Sequence, residues 1–124
     1  MEDPDRSAPE PALAGDTYQR LALRTAAYPA DFALIYPVLG LAGEAGELAN
    51  KVKKLLRDAG WSPGQPLPEP ASGELADELG DCLWYVAAVC QDLGLSLEVL
   101  MRANLEKLRG RSRRGTLKGS GDQR

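Results

Sequence analysis

Two short acidic pairs, Glu44-Ala-Gly-Glu47 and Glu78-Leu-Gly-Asp81, hold the residue types best suited to chemistry in this chain. Residues three apart share one face of a helix, so each segment presents two carboxylates side by side. Facing each other, the two segments place four carboxylates around one small volume. Like charges that close repel unless a cation lies among them. The pattern points to a magnesium or manganese site, and through it to phosphate chemistry. The competing reading is a solvated face, because single acidic pairs are common on exposed helices.

The elements that must position these acids are helical. A first helix is expected from Asp16 or Thr17, either of which can cap it, to about Tyr28, before Pro29. A second runs from near Pro37 to Gly60, with Leu41, Ala45, Leu48, Val52 and Leu55 as its buried stripe. Four prolines between Trp61 and Gly73 make a loop. Ser72 then caps a third helix that continues to Gly94, with Leu75, Leu79, Cys82, Val86, Val89 and Leu93 inward. Ser96 caps a fourth, ending before Gly110. No strand-like alternation occurs, so the expected fold is all-α, an antiparallel bundle of about four helices. The domain limits are a disordered tail at 1–15, a helical domain at 16–110 and a basic tail at 111–124.

At 100° per residue, Glu47 lies about 60° from Glu44 and Asp81 about 60° from Glu78, in the same sense. Both apolar stripes lie about 80° to the other side, so the four acids occupy matching shoulders of the two buried faces. Gly43, Gly46 and Gly80 add to this, since each costs roughly 1 kcal/mol relative to alanine inside a helix. Such a cost suits close approach of backbone or ligand, and Gly40 fits the same idea.

Composition narrows the chemistry further. The 124 residues contain no histidine, which excludes imidazole-dependent triads and histidine-ligated zinc or di-iron sites. Cys82 and Cys90, eight apart on one helix, lie roughly 12 Å from each other, too far for a disulfide. Reduced core cysteines, together with a start lacking any secretion-signal pattern, point to a cytoplasmic protein. The apolar run from Cys82 to Cys90 is too short to span a bilayer. Residues 1–100 hold 16 acids and 7 bases, a balance of −9, whereas 101–124 hold 2 acids and 8 bases, a balance of +6. The body suits a cation and the tail an anion, or else the tail is simply solvated. Without aromatic interleaving, the basic tail does not read as a nucleic-acid module.

Leu41-Ala-Gly-Glu44-Ala-Gly-Glu47-Leu, followed by Asp77-Glu78-Leu-Gly-Asp81-Cys-Leu-Trp-Tyr85, resembles the MazG-type nucleoside triphosphate pyrophosphohydrolases, whose signature is E-x-x-E, a spacer, then E-x-x-D. Ala103-Asn104-Leu-Glu-Lys107-Leu-Arg109-Gly-Arg111 resembles the closing helix of that family. The resemblance implies an all-α fold, dependence on Mg2+ or Mn2+, cleavage of (d)NTP to (d)NMP and pyrophosphate, and assembly as a homodimer or tetramer. It implies that Glu44, Glu47, Glu78 and Asp81 are metal ligands and that Tyr85, Asn104, Lys107 and Arg111 contact the nucleotide. One departure stands out: several relatives carry a further glutamate just before the first pair, where this chain has Gly43. Glu47 is then the expected water-activating base, and Lys54, on the acid face of its helix, an expected phosphate contact.

Trp61 is placed to stack on a base or to pack its own loop, and Trp84 to lie at a subunit interface. Apolar residues outside the stripes, namely Leu56, Leu83, Trp84, Ala87 and Leu100, predict a homo-oligomer. The alternative function is a non-catalytic helical interaction module with an acidic rim.

Overall fold

Apolar residues recurring at helical spacing do build helices. The computed structural model describes residues 12–122 and contains α1 (Gly15–Ala22), α2 (Ile35–Asp58), α3 (Ala71–Asp92) and α4 (Leu97–Arg114). Two 3-10 turns, Leu23–Thr25 and Ala30–Phe32, connect α1 to α2. The described residues include no strand. Of the segment expected to be disordered, residues 1–11 lie outside those described, and Gly15 already opens α1.

α2 packs along α3, and the order of their contacts shows them antiparallel. Gly40 lies against Tyr85, Glu44 near Glu78 and Asp81, and Lys51 against Glu74 and Glu78. α1 touches both α3 and α4, whereas α4 has no comparable packing against α2 or α3. The fully enclosed core is small: Ala87, Cys90 and Leu97, with Tyr18, Leu23 and Val86 packed on it. It sits where α1, α3 and α4 meet.

Polar side chains of α1 fix the start of α4. Gln19 is buried, donates to the Leu95 carbonyl (3.0 Å) and to Gln91 Oε1 (3.3 Å), and accepts from the Leu97 amide (2.8 Å). Ser96 caps α4 as expected, accepting from the Val99 amide at 3.2 Å, and its own hydroxyl donates to Asp16 Oδ1. Asp16 therefore does not cap its own helix; Ala14 stands at that position. Two of the free N–H groups of α4, those of Leu97 and Glu98, are thus met from a different helix, by Gln19 and Asp16.

Other ends differ from expectation for local reasons. α1 stops at Ala22, and the 3-10 turn that follows is tied by Thr25 Oγ1 donating to the Ala22 carbonyl at 2.7 Å. α2 starts two residues before Pro37, which is buried in its first turn, where a missing N–H costs nothing. α3 begins at Ala71 behind Pro70, so Ser72 lies inside the first turn rather than at the cap. α4 passes straight through Gly110 and ends at Arg114, with Gly115 in the left-handed conformation (φ 69°). There the Thr116 amide closes on the Arg111 carbonyl at 2.8 Å. Arg114 folds over Gly110, so that glycine marks close packing, not a helix end. The region 111–124 expected as a separate basic tail thus begins with the last turn of α4.

The inward stripes are partly as expected. Leu41, Leu48, Val52, Leu55, Leu75, Cys82, Val86 and Val89 are half-buried, but Ala45, Leu79 and Leu93 are exposed. Ala87 is buried rather than an outward residue. Trp84 is also not an outward patch: its Nε1 donates to the Ala22 carbonyl (3.0 Å) and Thr25 Oγ1 (2.9 Å), pinning the end of α1 to α3. Trp61 packs its own loop, with Nε1 donating to the Gln65 carbonyl at 3.0 Å. Among the described residues no single helix is long and apolar enough to cross a membrane.

Candidate metal centre and nucleotide site

The antiparallel pairing of α2 and α3 brings Glu44, Glu78 and Asp81 together, with ligand oxygens all within 4.8 Å of one another. Glu44 and Glu78 are half-buried, and Asp81 is exposed. Glu47 faces solvent and stands outside this triad, although its charge still reaches Glu44. Three of the four acids singled out by spacing therefore converge, and the fourth flanks them.

The electrostatics are those of carboxylates short of positive charge. The Glu44 carboxyl is pushed above its ordinary range, first by sharing a proton with Glu78, then by burial and by the charges of Asp81, Glu78 and Glu47. Glu78 is held below its ordinary range, chiefly by the Lys51 ammonium and then by Glu44. Lys51 Nζ lies 2.7 Å from Glu78 Oε1, while the other oxygen, Oε2, is buried without a donor from protein. What that oxygen lacks is a proton carried by Glu44 or a cation. A cluster of oxygen-only, anionic donors is the set a hard divalent ion prefers, so these residues fit Mg2+ or Mn2+.

Around the triad stand Gly40 and Tyr85, already singled out from the sequence, and Tyr28, Tyr36 and Asp92, which were not. Tyr36, Gly40 and Glu44 recur every four residues along one face of α2, and the Tyr85 ring fills the gap that Gly40 leaves. Burial raises the Tyr85 pKa, and Tyr36, Glu44 and Asp81 raise it further, placing its phenol between the second tyrosine and the acids. Tyr36 in turn stacks on Tyr28, with centroids 4.9 Å apart, and Trp84 meets Tyr85 edge-on at 5.1 Å. Tyr28 donates to Asp92 Oδ2 at 2.7 Å, and the same oxygen accepts the Leu34 amide at 2.8 Å. That second bond holds Leu34 at φ 66°, a strained conformation for a leucine, where the chain turns into α2. The i, i+4, i+8 series from Tyr36 was the signal available in the sequence; the role of Asp92 had none.

The candidate substrate residues fall in two places. Lys54 and Lys51 line a pocket of about 220 Å³ between the end of α2 and the start of α3, together with Glu74 and Leu75. Asn104 and Lys107 line a groove of about 570 Å³ along α4 with Val99, Leu100 and Ala103. Arg111, one turn further on, is buried. Tyr85 is beside the acids; the α4 residues belong to a helix that packs mainly on α1 and meets α3 at Leu97 in the core.

A family model described as the MazG nucleotide pyrophosphohydrolase domain matches residues 37–116, a span that holds both acidic pairs and all of α4. The chain belongs to the MazG family. The Gene 37 protein of Mycobacterium phage L5 is similar to it, at 43% identity over 115 residues that cover 88% of this chain and 97% of that protein. No solved structure matches. Membership accounts for the helical architecture and for the pairing of E-x-x-E with E-x-x-D. It also makes hydrolysis of the pyrophosphohydrolase type the class of chemistry to which this MazG domain belongs.

Proposed function

We propose that this protein is a Mg2+-dependent nucleoside triphosphate pyrophosphohydrolase, with Mn2+ able to substitute. It converts (d)NTP and water to (d)NMP and pyrophosphate, in cytoplasmic house-cleaning of the nucleotide pool. The observation that carries this reading is the convergence of Glu44, Glu78 and Asp81 inside a MazG domain. When bound, the divalent cation supplies positive charge at the phosphate oxygens and an oriented water for in-line attack at the α-phosphorus.

The chain's own residues take the remaining roles. Glu44, Glu78 and Asp81 hold the ion. Glu47, exposed and outside the triad, is free to accept the proton of the attacking water, and it can also complete the ligand set. Lys54 faces the phosphates from the end of α2, and Tyr85 bounds the site on the side of Gly40. Asn104, Lys107 and Arg111 bind the nucleotide, and the two cations among them neutralise the departing pyrophosphate.

Because the start of α4 meets α3 at Leu97, in the small core with Ala87 and Cys90, rather than along the acid face, the reading includes a second copy that brings α4 to the acids. Val99, Leu105 and Leu108 of α4 and Leu39 of α2 are exposed apolar residues of the kind such an assembly covers. A two-fold dimer is the smallest assembly that does so, and a dimer of dimers extends it.

The decisive experiment incubates the full chain with NTPs and Mg2+ and follows the products by 31P NMR. NMP and pyrophosphate are expected, with loss of turnover in chelator. NDP and orthophosphate would overturn the assignment. An inert protein that shows no thermal shift with millimolar Mg2+ and a non-hydrolysable nucleotide would instead be a helical interaction module.

A further inference from the structure

Lys107 and Arg111 lie four residues apart on one face of α4, and both turn to the same carboxylate. Arg111 Nη2 is 3.4 Å from Asp122 Oδ1, and Lys107 Nζ is 3.8 Å from it. Arg111 Nη2 is also 3.4 Å from the Asp122 backbone carbonyl. These are long separations for charge-assisted contacts, which settle near 2.7–2.9 Å when well formed. The Arg111 side chain is only 8% exposed, and its Nε is buried with no acceptor. A buried guanidinium with an unanswered donor is costly unless something better than one loose carboxylate completes it.

The neighbouring cations are different. Arg109 and Arg113 pair with Glu106 on α4 itself, at 3.7 and 3.2 Å. Their partner is fixed in the helix. Asp122 reaches Lys107 and Arg111 only because the chain turns back after Gly115, and its side chain is 86% exposed. The two cations read above as nucleotide contacts are therefore met by an anion on a tether.

We propose that Asp122 is a tethered occupant of an anion site built by Lys107 and Arg111, holding the place of a phosphate until a polyphosphate displaces it. A phosphate chain offers more oxygens and more charge than one carboxylate, and it can answer both Arg111 donors and Lys107 at once. The segment after Gly115 then competes with substrate and sets its apparent affinity. This inference rests on the phosphate-binding reading of α4 and adds competition by the chain's own tail.

Tripolyphosphate titrated into the full-length protein by calorimetry, in metal-free buffer, isolates this site from the acidic triad. Asp122→Asn is expected to bind it about 5-fold more tightly than wild type, as removal of a competitor that fills most sites requires. Asp122→Glu should behave as wild type, and adding Lys107→Ala to Asp122→Asn should abolish the gain. In turnover, Asp122→Asn should lower KM for NTP and leave kcat unchanged. Equal tripolyphosphate affinity in wild type and Asp122→Asn would overturn the proposal, as would a gain that survives Lys107→Ala. If no variant cleaves NTP, the pyrophosphohydrolase reading fails while the titration still decides the tail. If NTP is cleaved and the Asp122→Asn shift is absent, the tail proposal fails alone.

Discussion

The ring of Tyr85 occupies the place that a β-carbon on Gly40 would need. Four residues further along α2 is Glu44, and four residues before Tyr85 on α3 is Asp81. This one contact therefore sets how far α2 slides along α3, and with it the spacing of the acids. Gly40→Ala must push the ring or the helix aside, at a cost of about 2 kcal/mol for an overpacked site. A fall in the thermal midpoint is expected, and the same change should cost much less in a Tyr85→Ala background, where the ring is gone. An unchanged midpoint for Gly40→Ala would show that this contact does not set the register.

Gly43, Gly46 and Gly80 behave differently, because a β-carbon at any of them meets nothing within 4 Å in the chain. In an isolated chain each change to alanine should raise stability by roughly 1 kcal/mol. Where a second copy or a ligand lies on that face, the same change should weaken assembly or nucleotide binding. Denaturation curves and light scattering on the Gly46→Ala protein separate the two outcomes.

Removing a triad carboxylate should separate binding from catalysis. Glu78→Gln and Glu44→Gln are expected to abolish the thermal shift given by Mg2+ and to lower turnover by about 100-fold or more, with far-UV circular dichroism unchanged. Glu47→Gln, outside the triad, should keep most of the Mg2+ response while turnover falls by about 100-fold, the usual scale for a lost general base. Wild-type turnover in Glu78→Gln at limiting Mg2+ would show that the triad does not hold the metal.

Metal affinity should depend on pH in a stated direction. Glu44 holds its proton to higher pH than an ordinary glutamate because Glu78, burial and the nearby acids disfavour its charge. A cation must displace that proton, so Mg2+ affinity should rise as pH passes upward through the Glu44 titration and then level off. Calorimetry in buffers of different ionisation enthalpy should detect proton release at the acid end only. Folding stability without metal has the opposite sign: the raised Glu44 pKa contributes stability that is lost as pH climbs through it.

Tyr28 gives an alkaline counterpart. Burial, the hydrogen bond to Asp92 and the charge of Asp92 together raise its phenol from 10.0 to about 12. The neutral phenol is the form the fold favours, so its contribution is complete below pH 10 and lost as pH rises through about 12. The stability difference between wild type and Tyr28→Phe, measured by denaturant unfolding from pH 8 to 12, should shrink over that window. A constant difference would show that the phenol proton is not what Asp92 holds.

Spacing along the chain was enough to lay out the helices and the two acidic pairs, and the residues of those pairs carried the resemblance to the family. A helix repeats locally, so Glu44 with Glu47 and Glu78 with Asp81 share faces whatever surrounds them. The Ser96 cap was legible for the same reason, since its partner amide is three residues away. What required tertiary structure was every choice between equivalent local options. Spacing could not say which three of four acids converge, because that depends on the register of α2 against α3, which Gly40 and Tyr85 decide. It could not say that Gly110 continues α4 while Gly115 ends it, because the difference lies in Arg114 packing over one and a left-handed turn at the other. Asp16, Trp84 and Asp92 each find their partners at least 58 residues away. Local periodicity carries no record of such contacts; only the packed helices bring them within reach.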